Sequence, residues 1–116
     1  MVIQQGEIYW IDFGVPIGSM PGYSRPCVVV QNNVFNASRI ATLLVATLTS
    51  NLNLAQAPGN VLLRQNEAGL SQTSVVNVSQ LMTVDKAMLR ERVGKLSKAR
   101  IQEIVDGIHL VVNPTN

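Results

Sequence analysis

The stretch IATLLVATLTS, residues 40–50, decides how this chain is built. Wound into a helix it shows no polar stripe, because apolar side chains fall all round the axis. Drawn out as a strand it is short, apolar on both faces and rich in residues that favour extended backbone. It is therefore read as a strand buried on both sides, closing in the hydroxyl-bearing end Thr47-Leu48-Thr49-Ser50.

Working outward from that strand, the flanking segments fall into the same class. Upstream, GEIYWIDF (6–13) is dense in aromatic and β-branched residues and stops at Gly14, Val15 and Pro16, so it predicts a first strand and a turn. A long loop follows, in which Pro21-Gly22 suits a type II turn, with the positive φ on the glycine. PCVVVQ (26–31) reads as strand two, and the polar NNVFNASR (32–39) holds a short helical turn. Downstream, SNLNLAQAPG (50–59) is a second long loop. NVLLRQ (60–65), the turn-like NEAGLSQ (66–72), SVVNVSQL (74–81) and RVGKL (92–96) then supply further short strands.

Only the C-terminal end carries helical periodicity. After Ser97 as N-cap, Ile101, Ile104, Val105, Ile108, Val111 and Val112 recur at steps of three and four. Gly107 weakens that helix by about 1 kcal/mol relative to alanine. Several short strands with one closing helix, and no βαβ alternation, predict a mainly β domain: a partly closed antiparallel barrel with a terminal α-helix. At 116 residues, one domain spanning 1–116 is expected.

Composition narrows the function classes. A chain 47% hydrophobic and only 14% charged has apolar surface to spare for a second copy or another partner. The single cysteine, Cys27, and single histidine, His109, exclude an internal disulfide and the usual zinc clusters, so neither metal nor cofactor is expected. Cys27 lies inside an apolar run and is expected in the core. The N-terminus lacks a basic leader region and meets Glu7 early, so it is not read as a signal peptide. No apolar run approaches the ~20 residues of a membrane helix, and a cytoplasmic protein is expected. P-loop, dinucleotide, paired-histidine and Gly-x-Ser-x-Gly patterns are all missing from the sequence.

Two features remain open to more than one reading. Lys86, Arg90, Arg92, Lys95, Lys98 and Arg100 crowd one segment, either as an attractor for a polyanion or as a solvated face broken by Asp85 and Glu91. Arg25, delivered by GSMPGYSRPCVVV (18–30) onto the threshold of a strand, must reach water, pair with Glu7 or Asp12, or grip an anion. The hydroxyls of Thr49 and Ser50 likewise either satisfy turn amides or complete a phosphate site with Arg25.

The chain resembles the MazF/PemK/Kid family of toxins from bacterial toxin–antitoxin pairs. The likeness runs nearly end to end and rests on GEIYWIDF, on Gly18-Ser19, on SRPCVVVQN, on VATLTSN and on SQLMTVDKAML, in that order. It implies an SH3-like barrel, a homodimer, and metal-independent, sequence-selective cleavage of single-stranded mRNA by the RNA's own 2′-hydroxyl. It also implies a cognate antitoxin whose acidic tail fills the RNA groove, with DNA a partner only indirectly, through an antitoxin complex. Residue by residue, the resemblance places catalytic roles on Arg25 and Thr49 and RNA contacts on Ser19, Ser50, Asn77, Ser79 and Gln80. The chain departs from the pattern at Met20, where many relatives have a glutamate, and at Met82, where a basic residue is usual. Asn77 and Ser79 stand where some members carry an arginine and an aspartate. Related toxins of this barrel poison DNA gyrase by gripping a protein, which is the alternative activity.

Overall fold

The computed structural model describes residues 2–115. Six antiparallel strands form one sheet: β1 (Glu7–Asp12), β2 (Ser24–Val29), β3 (Thr42–Thr49), β4 (Val61–Leu63), β5 (Ser74–Asp85) and β6 (Leu89–Lys95). Their order across the sheet is β4-β5-β3-β2-β1-β6. A short α1 (Asn33–Asn36) joins β2 to β3, and α2 (Lys98–Val112) closes the chain. The mainly β, partly closed barrel with a terminal helix is the architecture expected from the sequence.

The central strand explains its own composition. From β3, Ala46 and Leu48 enter a core shared with Ile8, Val28, Val76 and Ile104, while Leu43 and Val45 enter a second core with Tyr9, Ile11, Cys27 and Val84. With both faces covered, the strand has no solvent side on which polar residues would alternate. Each such buried Val, Leu or Ile contributes about 1.5–3 kcal/mol relative to exposure. Cys27 is fully buried, and that burial pushes its thiol up to about 12.

Closure depends on glycines. The two edge strands do not pair; instead a 3₁₀ turn at Glu67–Gly69 seats on β6. A Cβ on Gly94 would lie 2.1 Å from the Ala68 carbonyl oxygen, and one on Gly69 2.4 Å from that of Val93, so only glycine allows the approach. The seam is tied to α2 by Arg100, whose Nε and Nη2 donate to the Glu67 carboxylate at 2.7 and 3.2 Å. That ion pair holds Glu67 below the usual carboxylate range.

Helix α2 begins where expected, with Ser97 Oγ accepting from the Arg100 amide at 3.2 Å. Its packing differs from the expected stripe. Ile104 is buried and Ile101, Val105 and Ile108 are half-buried, but Val111 and Val112 are exposed. Gly107 is buried: the helix crosses the backbone of Gly59 there, too closely for any side chain.

Candidate functional site: an arginine-bearing groove

Strand β5 is longer than the SVVNVSQL segment suggested, and it is interrupted. Asn77 pairs with Thr47 while Leu81 pairs with Ala46, so Val78, Ser79 and Gln80 are looped out opposite a single step of β3. The bulge is satisfied internally. The Val78 amide donates to Asn60 Oδ1 at 2.9 Å, and the amide and hydroxyl of Ser79 donate to Asn77 Oδ1 at 3.3 and 2.7 Å. Gln80 is thereby placed over the β1–β2 loop. Its Oε1 accepts from Thr47 Oγ1 at 3.1 Å, and its Nε2 donates to the Ser19 carbonyl at 3.5 Å.

The β1–β2 loop is pinned at its base. Two backbone bonds close it: the Phe13 amide donates to the Tyr23 carbonyl at 2.9 Å, and the Tyr23 amide donates to the Gly14 carbonyl at 2.5 Å. The expected type II turn at Pro21-Gly22 does not form, since Gly22 lacks a positive φ. Its bare Cα packs on Pro16 instead, and the left-handed conformation passes to Tyr23, with φ of 57°. For a bulky aromatic this conformation costs on the order of 1–3 kcal/mol.

Behind that loop a groove of about 510 Å³ opens. Trp10, Pro26, Leu48, Leu70 and Val93 contribute apolar surface, and Arg25, Thr49, Ser50 and Gln72 contribute polar groups. Arg25 donates from Nε to the Gly22 carbonyl at 3.3 Å, and among the described residues it belongs to no ion pair. Both carboxylates considered for it are engaged elsewhere. Glu7 is buried and accepts from Arg92 Nε at 2.5 Å, while Asp12 Oδ1 accepts from the Gly14 amide at 2.9 Å. Thr49 Oγ1 accepts from the Asn51 amide at 3.2 Å, and among the described residues its hydroxyl donates to no protein group.

The residues singled out from the sequence therefore separate. Arg25, Thr49 and Ser50 share the large groove, whereas Ser19 and Gln80 line a second cleft of about 270 Å³ together with Met20, Pro21, Leu81 and Met82. The methionines that depart from the family pattern thus meet in one place and make that cleft apolar. Asn77 and Ser79 line neither opening and are engaged in supporting the bulge.

The basic run behaves largely as a structural face: Arg92 pairs with Glu7, Arg100 pairs with Glu67 and Glu103, and Lys95 Nζ donates to Gln4 Oε1 at 2.6 Å. Tyr23, which the sequence offers with Trp10 only as an aromatic available for base stacking, lines the large groove, as do Gln72 and Glu91, to which the sequence gives no site role. Nothing in their spacing marks them, because β6 and the 71–74 segment meet β2 only once the barrel curls.

Comparison with known proteins agrees with this architecture. Residues 4–112 match the family described as PemK-like, MazF-like toxin of type II toxin-antitoxin system. The endoribonuclease MazF6 of Mycobacterium tuberculosis is 43% identical over 113 residues, covering 97% of this chain and 99% of that protein. Among solved structures, MazF from Deinococcus radiodurans superposes with a TM-score of 0.80 at 20% identity, covering 98% of this chain and 99% of that one. A mycobacterial endoribonuclease in complex with its cognate antitoxin gives 0.78 at 21% identity, covering 98% and 99%. With an end-to-end family match, an identity of 43% over nearly the whole length and the same fold, the chain belongs to the PemK-like, MazF-like toxins of type II toxin–antitoxin systems.

Proposed function

We propose that this chain is the toxin of a toxin–antitoxin pair and a metal-independent endoribonuclease that cuts single-stranded RNA in the Arg25 groove. The observation that carries the reading is a guanidinium that, among the described residues, has no carboxylate partner and shares a groove with the Thr49 hydroxyl. RNA supplies its own nucleophile: the 2′-oxygen bonds to phosphorus, the bond to the 5′-oxygen breaks, and the products are a 2′,3′-cyclic phosphate and a 5′-hydroxyl. The 2′-hydroxyl proton leaves to solvent, and the departing 5′-oxygen takes a proton from solvent.

Arg25 stays protonated throughout, so its role is to clamp the charge that builds on the phosphoryl oxygens, with Thr49 as a second donor. Neither Cys27 nor His109 is required. Burial keeps the thiol of Cys27 neutral, and His109 lies exposed on the last turns of α2, outside the groove. A strand lacking the 2′-hydroxyl binds but survives.

Ser19 and Gln80 in the second cleft extend the contact along the RNA and set sequence preference. The family's description as the toxin of a type II toxin-antitoxin system supports a cognate antitoxin as partner. The exposed Leu110, Val111 and Val112 support a homodimer.

The test is incubation of the protein with end-labelled single-stranded RNA in EDTA, beside Arg25→Ala and Thr49→Ala. Cyclic phosphate ends are expected from the wild type, with a loss of about 10²–10³-fold for Arg25→Ala. Intact RNA with wild-type protein, or unimpaired cleavage by Arg25→Ala, refutes the assignment.

A further inference from the structure

Tyr23 is the feature of the groove whose side chain neither folding nor phosphate binding explains. It is 65% exposed, so little apolar area is buried by it, yet its backbone is held in the left-handed region at φ 57°. A glycine would occupy this position without strain. The strained tyrosine instead lines the groove that contains Arg25, and the same groove is lined by Trp10, 39% exposed on β1. Exposed aromatic residues beside a guanidinium that, among the described residues, is in no ion pair match the repeating chemistry of a single nucleic-acid strand, in which each phosphate is flanked by a flat base.

We infer that Tyr23 and Trp10 form a stacking cradle for a nucleobase next to the phosphate held by Arg25, which makes Tyr23 a determinant of how the strand is seated. This rests on the reading of the groove as a nucleic-acid site. The Phe13–Tyr23 and Tyr23–Gly14 backbone bonds hold the ring's stem in place, so binding does not require the loop to order first. Because every base has a π-face, the cradle contributes affinity with little dependence on base identity. Sequence preference then falls to contacts elsewhere, such as the Ser19–Gln80 cleft.

Trp10 is the sole tryptophan of the chain, so its emission reports the cradle directly. The probes are single-stranded oligo(dA), oligo(dC) and oligo(dT), which the protein cannot cleave, and an abasic deoxyribose-phosphate oligomer of equal length. Base-bearing strands are expected to quench Trp10 emission and the abasic strand to bind more weakly without quenching. Tyr23→Gly is expected to weaken binding of base-bearing strands roughly 5- to 150-fold, the range of one lost stacking contact. Tyr23→Phe should bind like the wild type, and the thermal stability of Tyr23→Gly should equal or exceed that of the wild type, since glycine relieves the strain. Arg25→Ala should weaken the abasic and base-bearing strands alike.

Two results overturn the cradle alone: undiminished binding by Tyr23→Gly while Arg25→Ala is impaired, or equal binding and quenching by the abasic strand. Failure of the wild type to bind any of the strands overturns both the cradle and the nucleic-acid reading beneath it.

Discussion

Replacing Gly107 with alanine opposes two effects whose magnitudes decide the sign. In an isolated helix the change stabilises by about 0.8–1.0 kcal/mol, because alanine loses less backbone freedom on folding. In this fold the new Cβ would stand 2.1 Å from the Gly59 carbonyl oxygen and 3.0 and 3.2 Å from its carbonyl carbon and Cα. Ordinary contact begins near 3.4 Å, so helix and loop must separate by about 1 Å at a place where every obstructing atom is backbone. The loop has little freedom to yield: Asn60 holds it through Nδ2 to the Leu54 carbonyl and Oδ1 to the Val78 amide, both at 2.9 Å. Overpacking of this kind costs about 1–3 kcal/mol, and lifting α2 also loosens the contacts of Ile104 and Ile108. After the propensity gain is subtracted, a net destabilisation of up to about 2 kcal/mol follows, or up to about 8 °C in Tm for a chain of this size. Thermal melts followed by circular dichroism should be compared at one fixed protomer concentration, since self-association shifts Tm. His109→Ala, on the exposed side of the same helix, is the control and should change Tm little. A Gly107→Ala protein that melts at or above the wild-type temperature refutes the reasoning.

Two further outcomes follow from the same structure. Glu67 is held below the ordinary carboxylate range by Arg100, so this pair adds stability above that range and loses it as pH falls through the folded value. Glu67→Gln should cost about 1 kcal/mol at neutral pH and flatten the acid limb of a stability–pH profile, and a parallel profile would count against the seam. Cys27, fully buried and with its thiol pushed up to about 12, should react with a disulfide reagent at the rate of unfolding and not before. Because the unfolded thiol ionises in its ordinary range, stability should also fall as pH rises past that range; rapid labelling of native protein would contradict the burial.

What the linear sequence determined is the part of the problem governed by neighbours within a few residues. The even apolarity of residues 40–50 required a strand covered on both sides, and Leu43 and Ala46 do enter opposite cores. Ser97 and the three-and-four spacing after it marked α2, and the ordered motifs marked the family. Local rules also set the limit. Proline followed by glycine predicted a positive φ on Gly22, but a tertiary contact with Pro16 moved it to Tyr23. Gly107 looked like a small helix defect until its crossing with Gly59 gave it a reason. Arg25 was ambiguous for a similar reason: whether Glu7 was free to pair with it depended on Arg92, a residue 85 positions further on that reaches Glu7 only because β6 returns beside β1. Backbone propensity and periodicity act along the chain and can be read there. Partner choice for a charge, the sharing of a groove by β1, β2, β3 and β6, and the room left for a Cβ are settled by which strands the curled sheet brings together.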